Sequence, residues 1–330
     1  MTTASTANLV SSATFVLLVG CATEADRSIA GTFAASQTSN FSDWSEPTNL
    51  GPSINTSFNE QQAALSKDGL SLYFASNRPE GPGDGDLDLN IWVSRRACAD
   101  DSCPWEAPVN LGSVVNSPVT DAGPALSRDG HWLFFLSNRP EGSLGSSDIW
   151  VSWRENVHDD LGWQTPVNLG PGVNTSGFEG GPSYFENDQG GAPQLYFNRN
   201  PAPVNTGGDI YVSEQAADGS FGPASLVAEL SSPSSDQRPS IAHSGLQIYF
   251  FSDRPGSRSN DIWVATRESV LEPWSPPTNL GAPINTVVGE LHPLIFSHGG
   301  TETLYFARNV ATPPAVALDL FKSTRTRGKS

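Results

Sequence analysis

One phrase returns five times along this chain, and its spacing limits the fold more than any other property. The copies read "NEQQAALSKDGLSLYFASNRP", "TDAGPALSRDGHWLFFLSNRP", "FEGGPSYFENDQGGAPQLYFNRN", "SDQRPSIAHSGLQIYFFSDRP" and "GELHPLIFSHGGTETLYFARN". Each is followed by a second signature: "LNIWVSRR", "SDIWVSWR", "GDIYVSEQ", "NDIWVATR" and "LDLFKSTR". At its acidic position stand Asn90, Asp148, Asp209, Asp261 and Asp319, at intervals of 58, 61, 52 and 58 residues. Self-similarity at this period is the mark of a repeat architecture, and the length suits a propeller blade of four short strands. Gly 31, Pro 26 and a lack of sustained apolar spacing at three and four residues agree with an all-β chain rich in turns.

The strands of one unit are legible. A short apolar strand over Ala63 to Ser66 leads into a hairpin turn at "KDG", and "LSLYFAS" returns beside it. "IWVS" supplies a third strand and "WEAPVNLG" a fourth. The fourth-strand phrase recurs at Trp44, Trp105, Trp163, in a degenerate form at Phe221, and at Trp274, so one copy precedes every first strand. After "LDLFKSTR" only five residues remain. The last blade is therefore completed only if Trp44 to Leu50 closes it, which predicts an all-β, five-bladed β-propeller of four-stranded antiparallel blades with no unpaired edge between its ends.

The pattern "LSxDGxxLYFxSNRP…DIWVS" resembles the TolB-like, or WD-like, β-propeller repeat of bacterial envelope proteins, over about residues 41–325. That resemblance implies the fold and an envelope setting, but propellers host many unrelated functions. The domain reading is a signal peptide over 1–21, a flexible tether over 22–40, the propeller over 41–325 and a basic tail over 326–330. "LVGC" resembles a lipobox, with Cys21 as the lipidated residue, although no Lys or Arg precedes the apolar run. The competing reading is a cytoplasmic start with three free thiols. Cys98 and Cys103, close together in "ACADDSCPW", are placed to close a small disulfide ring in an oxidising compartment.

An acid stands before every first strand (Glu60, Asp121, Glu179, Asp236, Glu290) and an arginine after every second strand (Arg78, Arg139, Arg199, Arg254, Arg308). Five equal copies suit a structural ring of ion pairs better than a reaction centre. The residues after the acids differ: Gln61 and Gln62, Ala122 and Gly123, Gly180 and Gly181, Gln237 and Arg238, Leu291 and His292. Since first strands line the channel, Gln61, Gln62, Gln237, Arg238 and His292 are the ligand-binding candidates, grouped on one side of a mouth opposite a glycine-lined gap. Water-filled channel lining is the plain alternative.

Weaker signals complete the list. Asp84, Asp86 and Asp88 alternate as in a calcium loop, but the EF-hand glycine and distal glutamate are missing, so a solvated acidic loop is favoured and no cofactor is expected. His243 and His298 sit in first-hairpin turns and His158 in a loop, without zinc spacing. A net charge of −17 argues against nucleic acid as a partner. The expected product is an exported, periplasmic or cell-surface lipoprotein, monomeric, touching the membrane only through its lipid, and acting as a non-enzymatic scaffold for a protein, peptide or glycan. The alternative is a glycan-active enzyme, a glycoside hydrolase or lyase, with Glu60 and Glu290, beside His292, as carboxylates at the channel.

Overall fold

The computed structural model describes residues 41–79, 88–100, 102–188, 190–201, 207–311 and 317–328. Residues 1–40, and with them the leader, the tether and Cys21, lie outside the described residues, as do Asp84 and Asp86. All regular structure described is β: five four-stranded antiparallel sheets, one per repeat.

The inner strands are Glu60–Leu65, Asp121–Leu126, Phe178–Phe185, Asp236–Ile241 and Glu290–His298. Each pairs with the second strand of its repeat, that with the third, and the third with a short outer strand. The first inner strand begins at Glu60, earlier than the apolar pattern indicated, because the acid itself is paired in the ladder opposite Ser76. Outer strands are shorter than their sequence phrase, covering only two residues such as Val109–Asn110 and Thr278–Asn279. The preceding prolines, such as Pro108 and Pro277, carry no N–H for a ladder bond, which fits pairing that starts only after them.

Asparagine side chains compensate for the missing ladder. Asn116 accepts from Ile91 N–H at 2.9 Å and donates to Ile91 C=O at 3.0 Å and to Asn110 Oδ1 at 2.8 Å, so a loop residue closes the sheet as a backbone would. Asn55, Asn174 and Asn285 do the same against Leu320, Ile149 and Ile262. In the degenerate repeat Ser231 takes over part of the role, accepting from Ile210 N–H.

Aromatic and aliphatic residues of the second and third strands, such as Tyr73, Phe134, Phe197, Phe250 and Phe306, are fully buried between neighbouring blades. Arginines cap this packing: Arg96, Arg154, Arg267 and Arg325 lie 4.1–4.5 Å above the rings of Trp105, Trp163, Trp274 and Trp44. Between the first two blades Asp160 accepts from Tyr73, Arg154, Arg95 and Ser71. Burial pushes its carboxyl up, but those hydrogen bonds outweigh it and hold Asp160 below the ordinary value.

The ring is closed by the N-terminal segment. Thr48 and Asn49 pair with Lys322 and Phe321, and backbone bonds from Ser42, Ser45 and Leu50 reach Thr326, Thr324 and Leu320. The last sheet strand runs Leu318–Thr326 and Arg327 bridges Phe41, so the first two residues assigned to a basic tail belong to the seam. The Cys98 and Cys103 sulfurs form a disulfide in the loop leading to the second outer strand. Deleting residues 41–50 removes the closing strand and the Trp44 ring, and is expected to cost about 3–5 kcal/mol in denaturant unfolding; an unchanged midpoint refutes the closure.

Candidate functional site

The five acids are fully buried and none is among the residues that line the channel cavities. Glu60 accepts from Thr56 N–H and Oγ1–H, both at 2.8 Å, from Ser76 at 2.9 Å and from Arg78 at 3.1 Å. Asp121, Glu179, Asp236 and Glu290 repeat the arrangement with Arg139, Arg199, Arg254 and Arg308. The same arginines reach a loop carbonyl of the preceding turn, Val115 O for Arg139 and Ile284 O for Arg308. They also cover the third-strand aromatics, 4.5–5.4 Å above Trp92, Trp150, Tyr211, Trp263 and Phe321. Glu60 and Glu290 are thus corrected as catalytic candidates: their oxygens are committed to holding the loop that enters the blade. Burial raises the Glu290 and Glu179 carboxyls against the threonine hydrogen bonds and arginine charge that favour ionisation.

One residue past each acid the inner strand breaks register with its neighbour, between Gln61 and Ala64, Ala122 and Ala125, Gly180 and Ser183, Gln237 and Ser240, and Leu291 and Leu294. These are β-bulges, each with a residue in the left-handed region: Gln62, Gly123, Gly181, Arg238 and His292, at φ 59, 64, 60, 54 and 54°. A bulge re-aims side chains, and it separates the candidates. Gln62, Arg238 and His292 converge on a constriction of about 40 Å³ that they line with Gly123, Gly181 and the following Ala63, Pro124, Pro182, Pro239 and Pro293. Gln61 and Gln237 are corrected: they stay in the ladder opposite Ala75 and Phe251, and the Gln237 amide donates to Ser235 Oγ at 2.6 Å. The glycine-lined gap is also corrected, because the Arg238 side chain occupies it. A Cβ at Gly123 would meet Arg238 Nη1 at 2.8 Å, and one at Gly181 would meet Arg238 Cδ at 2.5 Å.

Beyond the constriction the channel widens into a cavity of about 380 Å³ framed by the first hairpins. Lys67, Arg128, Glu186, His243 and His298 line it from the five blades, so four hairpins bring nitrogen groups and the third brings a carboxyl. Tyr184, Phe185 and Phe296 contribute aromatic wall. Glu186 is half-buried and accepts from Arg128 N–H at 2.7 Å. Burial, then the charge of Asp129 and Asp188, pushes its carboxyl up. Exposed Asp188, two residues on, pairs with Arg128 and lies 3.3 Å from His243 Nε2. The hydrogen bond from Arg128 holds Asp188 below the ordinary carboxyl value. Burial, with the Arg128 charge, pushes His243 down.

Sequence reading found His243 and His298 in hairpin turns and weighed them only for zinc; it missed Glu186, Arg128, Lys67 and Asp188. The available signal was positional, since Lys67, Arg128, Glu186 and His243 fall at matching points of the repeat, with His298 one residue further on. Asp88 of the suggested calcium loop is half-buried and accepts from Thr120 Oγ1 at 3.3 Å. Among the described residues the one cluster of His, Cys, Asp and Glu with metal-like spacing is Cys98, Asp100 and Cys103, whose sulfurs are joined to each other.

No family model matches the chain, and no curated protein is similar to it. Solved structures share its fold. A protein described as a glycoside hydrolase matches with a TM-score of 0.62 at 10% identity, over 91% of this chain and 96% of that one. An α-L-arabinofuranosidase from Lactobacillus brevis matches at 0.58 and 14%, over 83% and 92%, and an endo-arabinase from Bacteroides thetaiotaomicron at 0.55 and 16%, over 86% and 98%. At such identities the likeness establishes the five-bladed propeller and not the TolB-like relation specifically. The scaffold expectation is corrected in that it finds no support among these neighbours, each of which is described as a glycosidase or glycoside hydrolase.

If the acids are structural, Asp121→Ala leaves Arg139 and the Ser117 N–H and hydroxyl without their shared acceptor. Its expected cost is about 3–5 kcal/mol of unfolding free energy, read by urea titration; a variant as stable as the parent contradicts the structural role.

Proposed function

We propose that the protein is a glycan-active hydrolase that seats a short saccharide in the hairpin-side cavity, with Glu186 as proton donor and Asp188 as the second carboxylate. The observation that carries this reading is the half-buried Glu186 carboxyl on the wall of a cavity of about 380 Å³, pushed up by burial, with exposed Asp188 two residues on held below the ordinary value by Arg128. Glycosidic bond cleavage needs such a division: an acid that keeps its proton longer than an ordinary carboxyl and gives it to the leaving oxygen, and a carboxylate to activate water or stabilise the cationic sugar. Half-buried Phe296 offers an apolar surface against which a sugar ring can rest, and Arg128, Lys67 and His298 offer hydroxyl partners. The fold's glycosidase neighbours support the choice of reaction class. The Cys98–Cys103 disulfide supports an exported protein, where extracellular glycans are met.

The test is turnover of aryl glycosides and of arabino- and xylo-oligosaccharides by the purified protein. Glu186→Gln is expected to lower the rate by about 10²–10⁴-fold with saccharide affinity retained. Because the Glu186 pKa is raised and its protonated form acts, activity is expected below that pKa and lost as pH rises through it. Turnover by Glu186→Gln at the parent rate, or a parent that neither binds nor cleaves any of these sugars, overturns the proposal.

A further inference from the structure

The constriction holds a half-buried guanidinium whose inner nitrogen is sealed without a counter-charge. Gln62 and His292 are 7% and 9% exposed, and Gln62 Oε1, His292 Nδ1 and Arg238 Nη1 are sealed from solvent without a hydrogen-bond partner. The same three are the non-glycine residues with positive φ among those described. A backbone conformation that disfavours side chains is therefore used, in three blades, to aim polar groups at one point. The five acids of the inner strands are taken by their own arginines, so no carboxylate of the ring is left for Arg238.

We propose that the constriction binds one small monovalent anion of halide size, held by the Arg238 guanidinium with N–H groups of His292 and Gln62. Its volume of about 40 Å³ admits a single ion or water, and an anion supplies the counter-charge that the sealed Arg238 Nη1 lacks. Burial pushes Arg238 down to about 10, which still leaves it charged at neutral pH. Burial and the Arg238 charge push His292 well down, so it is a neutral imidazole with one N–H to give. Phe251 meets that ring edge to face at 5.2 Å. Turning the Gln62 amide by half a revolution exchanges its oxygen for a donor nitrogen. A metal cation is disfavoured there by the guanidinium itself.

Chloride titration at constant ionic strength, with gluconate as the replacement anion, tests this through the melting temperature. The parent is expected to gain about 3 °C per tenfold rise in chloride above the dissociation constant. Arg238→Gly adopts the left-handed backbone that Gly123 and Gly181 already use at the equivalent points, and is expected to lose the chloride response. Chloride-35 line broadening by the parent, relieved by iodide, reads the same site without any variant. A chloride-independent melting temperature, an Arg238→Gly protein with the full response, or no line broadening by the parent overturns the proposal.

Discussion

At the head of each inner strand a fully buried carboxylate gathers the N–H and hydroxyl of a residue four positions earlier and the arginine that follows the second strand, and in the first blade Ser76 as well. The arginine then spans to a loop carbonyl and an aromatic ring of the third strand. Breaking such a buried pair strands a charge in a low-dielectric interior, so each blade is fixed to its connecting loop by a contact that cannot be lost halfway. Everything at the axis follows. With the loop fixed, the bulge comes one residue later in every blade, and the channel receives whatever side chain stands there.

The fivefold repetition therefore confers the frame, and chemistry enters where the copies differ. At the bulge two blades use glycine and three use Gln62, Arg238 and His292. At the hairpins four blades carry nitrogen groups while the third carries Glu186. The third blade thus yields room at one level of the channel and supplies a carboxyl at the next.

The architecture was legible because it is written five times: hairpin turns, strand order and closure by the N-terminal segment follow from alternation and from a count of fourth-strand phrases. What stayed hidden was the bulge. Alternation by two puts Gln61 and Gln62 on opposite faces but cannot foresee a local register break, made without a distinctive residue in three of the blades, that turns Gln62 to the constriction. Repetition marks the five acids as a structural ring, and only the glycan-active alternative took Glu60 and Glu290 as free carboxylates. A carboxylate at the first residue of a channel-lining strand reads as available, until hydrogen bonds from four residues back close over it. Glu186 escaped notice because the third hairpin, "FENDQGG", departs from the "KDG" and "RDG" turns of the first two, and because its character is conferred by burial.

Closure by residues near the start of the chain on a strand at its end has a temporal side. The Asn49 to Asp319 hydrogen bond joins positions 270 residues apart, so the seam cannot form until nearly the whole propeller has left the ribosome. Until then the waiting outer strand has no sheet to join, and four blades are assembled with two open edges. The fold is completed by its ends, and the step that seals it is the one most exposed to competition from other chains.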